Sequence, residues 1–391
     1  MNTLAAMRGI KGLNLGSWLL MEGYILGGRN IAESAFKEKF SKIYGKKELG
    51  LFASKFRNNF ISQTDFKNIS AMGAKVLRVP FNHKLIETRS YHYEESGFLY
   101  LDKLFSWAEQ YKLGIILDLH AACGAQSCDW HADSRGKAKL WTDRTLRERT
   151  VALWQVIVER YKDKKALVGY DVLNEPVLGS RNDKVLKTLY KKIIKAIKEI
   201  DSHHIIFLEG SFWAQRIDFL KDLIEDNIAI SIHTYQPLEF TFNFNPCLRF
   251  PGRVGADVWN KKTIYKHLES YFKFSQKNKI GIFVGEFGIN WRGGLWGEVQ
   301  WLSAILKAFS DFGFGYTYWT YKAMANNVFP DGLYQQIDNS TYINRQGPIY
   351  GWETYLDLWR KEKNKIIEFW RTENFTPNRK LISTLRRYFK K

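Results

Sequence analysis

The stretch "LVGYDVLNEPV", residues 167–177, decides the reading of the chain. Its first half is apolar and β-like. The run Leu167–Glu175 then stops on Asn174 and Glu175, sealed by Pro176. Proline lacks the N–H that a central strand donates, so the strand ends there. A buried strand that closes on an amide and a carboxylate delivers both to one place. Seven more short runs rich in β-branched or aromatic residues flank it: Gly12–Gly16, Lys75–Pro80, Gly114–His120, His204–Gly210, Ile228–Tyr235, Ile280–Gly288 and Gly315–Lys322. Stretches with helical spacing lie between most of them, including Leu101–Tyr111, Leu146–Tyr161, Lys184–Ile200, Lys262–Lys277 and Gln300–Phe312. Strand alternating with helix predicts the α/β class, and eight such units predict a closed (β/α)8 TIM barrel. An open doubly wound sheet is the alternative, but no G-x-G-x-x-G follows the first strand.

A chain of 391 residues fits one barrel with insertions. No Pro-rich or Gly/Ser-rich linker divides it, and it has no internal repeat, so residues 1–391 read as a single catalytic domain. Three insertions stand out: Met21–Asn68, with a helical Ala35–Tyr44 inside it, Ala121–Thr142 and Gln236–Asn260. In barrels such long loops crown the C-terminal rim, where active sites are built. Near the end, Thr376-Pro377 reads as a helix start, with proline at the first helical position. Leu381, Leu385 and Phe389 follow at helical spacing amid Lys and Arg, predicting a basic helix over 376–391 docked on the barrel.

The net charge of +19 raises nucleic acid or another polyanion as a partner. The Lys and Arg are scattered, however, in runs such as Lys162 to Lys165, and no RNA-recognition motif or zinc-ligand spacing occurs, so they read as solvated helix faces. Three cysteines make no disulfide framework; Cys123 and Cys128 read as free thiols, with a local bridge as the alternative. The start, MNTLAAMRGIKG, has no basic segment followed by a long apolar one, so no signal peptide is visible. The chain reads as cytoplasmic as written, and as secreted if a signal was removed. No apolar run approaches the ~18–20 residues of a membrane span.

The strand ends carry the polar residues. Arg78 closes "LRVP", His120 closes "LDLH", Asn174 and Glu175 close strand four, His233 and Tyr235 close "IHTY", Glu286 lies in "VGEFG" and Trp319 in "TYWTY". The rim of a barrel gathers such ends into one ring, and a buried polar ring costs stability unless it is fully paired. Two carboxylates facing each other from strands four and seven are the apparatus of glycoside hydrolysis. Arg78 and Tyr235 are expected to hold Glu286 ionised as the nucleophile. Glu175, farther from positive charge, is expected to have its pKa raised and keep its proton as the acid. Trp319 offers a platform for a sugar face, and Asn174 a hydrogen bond to a sugar 2-hydroxyl.

These residues carry a resemblance. "LNLGSWLLMEGYI" (13–25), "LRVPFN" (77–82), "LDLHAACGAQ" (117–126), "LNEP" (173–176), "IHTY" (232–235), "VGEFG" (284–288) and "YTYWTYK" (316–322) together resemble glycoside hydrolase family 5, over nearly the whole barrel. The resemblance implies a retaining β-glycosidase acting on a β-glucan or related saccharide. It implies Glu175 as acid/base and Glu286 as nucleophile, with Arg78, His120, Asn174, His233, Tyr235 and Trp319 around the reacting sugar. Within the family the chain is most similar to the exo-β-1,3-glucanase branch, which implies that Glu22 touches substrate. That branch has Pro after this Glu and "HGAPG" after strand three, where this chain has Gly23 and "HAACG".

Trp130, Trp141, Trp213, Trp291 and Trp296 are candidate further sugar platforms. Glu209, in "FLEG", is a rival carboxylate without an Asn partner. His120, His131 and His233 with Glu raise a metal, but no H-E-x-x-H appears, so no metal or cofactor is expected. A non-catalytic sugar-binding barrel and a transglycosylase with the same chemistry are the alternative functions.

Overall fold

The computed structural model describes residues 3–179, 183–324, 328–336, 351–352 and 354–390. Eight parallel strands close into a barrel: β1 Lys11–Asn14, β2 Val76–Asn82, β3 Gly114–Ala121, β4 Leu167–Asp171, β5 Ile205–Glu209, β6 Ile228–His233, β7 Gly281–Phe287 and β8 Gly315–Tyr318. Each pairs with its neighbours in sequence, and β1 closes the ring by pairing with β8, Gly12 opposite Thr317. The predicted runs mark these strands, with differences at their ends. Strand four was expected to reach Glu175, but its ladder stops at Asp171. Beyond it Val172 N–H still bonds Phe207 O and Asn174 N–H bonds Leu119 O, so the chain stays attached while it bends. Trp319 likewise falls one residue past β8, in a cis peptide with Thr320.

Ten helices of two turns or more are found among the described residues: α1 Glu33–Tyr44, α2 Lys46–Phe60, α3 Gln63–Met72, α4 Glu95–Tyr111, α5 Arg144–Tyr161, α6 Lys184–Lys198, α7 Lys261–Asn278, α8 Glu298–Phe312, α9 Tyr355–Phe369 and α10 Arg379–Phe389. Their faces follow from periodicity. In α6, Leu186, Leu189, Tyr190, Ile193 and Ile197 are buried while Lys191, Lys192 and Lys195 stay in water. Part of the positive charge is therefore a solvated helix face. The Met21–Asn68 stretch, expected to hold one helix, contains α1, α2 and the start of α3. Phe52, Phe56 and Phe60 of α2 recur every four residues and are all buried. A reciprocal cap between Ser62 and Asp65 starts α3. Only short turns, Ser211–Ala214 and Asp218–Leu223, join β5 to β6.

The tail differs from expectation at its start. Thr376–Pro377 is not a helical turn but pairs as a short strand with Tyr334–Gln335, and Asn378 caps α10, accepting from Leu381 N–H. Leu381, Leu385 and Phe389 face the barrel, Tyr388 Oη donates to Ser303 O on α8, and Arg386 and Arg387 face solvent. Lys391, in the expected helix, lies outside the described residues. At the N-terminal end of the strands, Met7 and Ile10 pack with Ile116, Ile205, Phe207 and Phe283, flooring the barrel with apolar side chains.

Candidate active site

Arg78 stands at the centre of the barrel, fully buried on β2. A guanidinium there is tolerable only if every donor finds an acceptor. Its Nε bonds Asp171 at 2.7 Å, Nη1 bonds Asn14 and Glu286 at 3.1 and 2.9 Å, and Nη2 bonds Asn174 and Glu209 at 2.8 and 3.0 Å, with Asp118 at 3.1 Å. Six side chains from five of the eight strand segments are thus referenced to one cation. Burial and the neighbouring Glu209 push the Asp171 carboxyl well above its usual range, against the pull of Arg78.

Glu286 sits where β7 breaks register. Its partner on β6 is His233, one step out of line with the Val284–Ile232 pair, and this bulge aims the carboxylate into the barrel mouth. Gly285 is required there, because a Cβ would lie 2.9 Å from both His233 Nε2 and Ser231 Oγ. Arg78 holds one Glu286 oxygen, and Tyr235 Oη donates to the other at 2.8 Å. Both contacts are those expected from the sequence.

Glu175 has φ +44°, a left-handed conformation uncommon for a residue with a side chain, and its N–H bonds Glu209 Oε2 at 2.6 Å. Glu209 is therefore a buried brace for the turn, bound to Arg78 as well. The Glu175 side chain meets His233 Nδ1 at 2.7 Å, and His131 Nε2 at 3.5 Å. A carboxylate oxygen of Glu175 and one of Glu286 come within 4.8 Å of each other, with His233 between them.

One electrostatic expectation is overturned. Glu175 was to keep its proton through a raised pKa. Burial does favour the neutral acid, but the hydrogen bond from His233 and the charges of His233, His131 and His120 outweigh it and bring Glu175 down to about 2. Conversely, burial opposes an imidazolium at His233, yet Glu209, Glu286 and Glu175 raise it well above its usual value. In the free protein the proton of this pair rests on His233.

A cavity of about 360 Å³ opens above these groups. Glu22, His120, Glu175, His233, Tyr235, Glu286 and Trp319 of the sequence-derived set all line it. Arg78 and Asn174 do not: both are fully buried, and Asn174 Oδ1 accepts from Arg78 while its Nδ2 lies 3.4 Å from His120 Nε2. Trp319 stacks on His120, ring centroids 5.5 Å apart and 12° from parallel. Of the candidate platforms, Trp130 and Trp213 line the cavity. The others serve elsewhere: Trp141 donates to Gln126 O and Val177 O, Trp291 lies under Lys380, and Trp296 under Arg249 and Arg292. Sequence reading missed Tyr24, Asp129, Phe242 and Phe329 in the lining. Tyr24 lay within a quoted motif; the rest sit on loops with no period to signal them.

Glu22 is 2% exposed and its Oε1 has no partner among the described residues. Gly23, the departure from the exo-glucanase pattern, is enforced by a tight turn, since a Cβ there would lie 1.9 Å from Arg29 O. Cys123 is a buried free thiol that donates to Glu87 Oε2, and Cys128 is exposed, so no bridge joins them. His83 joins Cys123 and Glu87 in a buried cluster, but Arg149 and the Tyr91 N–H already occupy the other Glu87 oxygen. Around Glu175, His233 and Glu286 the carboxylates are likewise bound by Arg78, Tyr235 and imidazole, an arrangement of hydrogen-bonded acids.

Residues 41–325, most of the barrel, match the family described as cellulase (glycosyl hydrolase family 5). The chain belongs to glycosyl hydrolase family 5. It is therefore a glycoside hydrolase, and a glycan is its substrate. Endoglucanase C of Acetivibrio thermocellus is 25% identical over 312 residues, which cover 71% of this chain and 89% of that protein. A protein of Aspergillus clavatus named "Probable glucan 1,3-beta-glucosidase A" is 28% identical over 241 residues, 59% of this chain and 57% of its own. The crystal structure of endoglucanase Cel5A from the hyperthermophilic Thermotoga maritima has the same fold, with 20% identity, a TM-score of 0.63 and 98% of each chain covered. No helix among the described residues is long and apolar enough to cross a membrane.

Proposed function

We propose that this family 5 hydrolase cleaves a β-glucan or a related β-linked saccharide by double displacement, with Glu286 as nucleophile and Glu175 as acid/base. The observation that carries the reading is the approach of the two carboxylates to within 4.8 Å. Retaining enzymes keep their carboxyl groups about 5–5.5 Å apart, whereas an inverting pair must leave room for a water between them. Glu286, gripped by Arg78 and Tyr235, is aimed to attack the anomeric carbon. The proton for the leaving oxygen is drawn through Glu175 from the histidinium at His233, 2.7 Å away. Glu175 is then a carboxylate, ready to take a proton from the water that releases the glycosyl group. Trp130, Trp213 and Trp319 supply apolar walls for sugar faces. The names of the relatives support a β-linked glucan and span both internal and terminal cleavage.

The test is a panel of 1,3-, 1,4-, 1,6- and mixed-linked β-glucans, mannan and aryl β-glucosides, with Glu286→Ala as control. Turnover of at least one substrate is expected, lost by about 10⁴-fold or more in the variant, and early proton NMR should show the β-anomer first. Undiminished turnover by Glu286→Ala, or the α-anomer first, would overturn the assignment.

A further inference from the structure

We propose that His131, held by Asp129, is a positioning residue that makes Glu175 a stronger acid toward the leaving group. The inference rests on the reading of Glu175 as acid/base, and extends it to a loop whose histidine is not among the strand-end residues of the ring.

The geometry is a chain of contacts across three loops. Phe212, Trp213 and Ala214 follow β5 with φ of 59°, 53° and 58°, three successive residues in the left-handed region. That turn carries the Trp213 indole to the cavity wall, where its Nε1–H donates to Asp129 Oδ2 at 2.9 Å. The same Asp129 oxygen lies 3.5 Å from His131 Nε2, and the same nitrogen lies 3.5 Å from Glu175 Oε2. Asp129 and Glu175 thus share one imidazole nitrogen, and the indole fixes the Asp129 end. His131 is 8% exposed, and its Nδ1 has no hydrogen-bond partner among the described residues. A buried imidazole with one idle nitrogen is not there to tie the loop together; what it does is face two carboxylates.

The groups around it set its charge. Asp129 faces it from its own loop, Glu175 from the loop after β4 and Glu22 from the loop after β1, while the His120 ring is 5.9 Å away. Burial opposes the imidazolium, but the Asp129 contact and the charges of Glu175 and Glu22 prevail and raise His131 to about 9. His131 is therefore a cation beside Glu175 through the neutral range. In the first half-reaction the bond from Glu286 to the anomeric carbon forms, the bond to the leaving oxygen breaks, and that oxygen takes its proton from Glu175. Glu175 passes on the proton that His233 supplies, and the net negative charge left on the pair is what His131 stabilises. In the second half-reaction Glu175 takes a proton from water as the water oxygen displaces Glu286. There the same positive charge gives no help to a base. The effect of His131 is thus one-sided: it assists proton donation and not proton removal.

The test uses the full chain and two aryl β-glycosides bearing the sugar released in the glucan panel. One carries 2,4-dinitrophenol, which departs without a proton; the other carries 4-nitrophenol, which needs more help. His131→Gln should lower kcat/KM on the 4-nitrophenyl substrate by about ten-fold and leave the dinitrophenyl substrate within about two-fold. The alkaline limb of the kcat/KM profile should move up by about one pH unit, because without the neighbouring positive charge the Glu175–His233 pair holds its proton to higher pH. Asp129→Asn should move both readouts the same way by less, with an unchanged unfolding temperature confirming that each variant folds. Equal losses on both substrates with an unmoved limb would make His131 merely structural, and no change on either would also overturn the proposal. Glu175→Ala separates this from the parent reading: it must show the same split more strongly, and if it shows none, the assignment of Glu175 has failed.

Discussion

Replacing Glu22 by Gln should stabilise the protein while harming its activity, and the gain should depend on pH. Burial raises the Glu22 carboxyl from its ordinary 4.5 to about 7, against the opposing pull of His120 and His131. The unfolded chain releases this proton near 4.5, while the folded chain holds it to about 7. Below 4.5 both states are protonated and the group contributes nothing. Between the two values the unfolded state gains by ionising and the folded state does not, so native stability falls as pH rises. Above about 7 the penalty is complete; the separation of about 2.5 units corresponds to roughly 3 kcal/mol. Gln cannot ionise and removes the whole term. Urea unfolding of both proteins from about pH 4 to about pH 8 should show a difference near zero at the acid end, growing in favour of Glu22→Gln to a few kcal/mol. Glycosidase activity should fall, because the unpartnered Oε1 at the cavity wall is lost as an ionisable acceptor for a sugar hydroxyl. A difference that is constant with pH, or a variant less stable than the parent at about pH 8, would refute the reasoning.

Two further outcomes follow from buried groups. Arg78→Lys should lower unfolding free energy by about 3–5 kcal/mol, measured in urea, because an ammonium cannot reach the acceptors that the planar guanidinium holds and leaves buried carboxylates unpaired. Intact-mass analysis after maleimide treatment of the native protein should show two adducts, on the exposed Cys128 and Cys247, and a third only after unfolding, since Cys123 is buried, and burial together with the neighbouring Glu87 raises its thiol.

The barrel was legible because each β-run is apolar and ends abruptly on polar residues, and a closed ring leaves one place for those ends to meet. Arg78, Glu286 and Tyr235 found one another as expected, since each lies in a barrel strand or within two residues of one. What was not legible depends on loops. The proton affinity of Glu175 follows from where His131 and His233 sit around it, and no spacing in the sequence places a loop histidine 3.5 Å from a strand-end carboxylate. Trp141, Trp291 and Trp296 look the same as Trp130 and Trp213 in one dimension; only the fold separates those that face the cavity. The Met21–Asn68 insertion shows one helix to sequence reasoning and holds α2 besides, whose buried face is marked by Phe52, Phe56 and Phe60.

The ring around Arg78 has a consequence for how this protein can vary. Asp118, Asp171, Glu209 and Glu286 come from four different strands, yet each contacts the same guanidinium. A substitution at any one alters the charge balance felt by the other three, and a substitution at Arg78 alters all four. These positions therefore behave as one inherited character. Descendants of this sequence are expected to keep them together or to lose them together, while loop positions with no tie to the catalytic carboxylates remain free to drift and change which sugar is held.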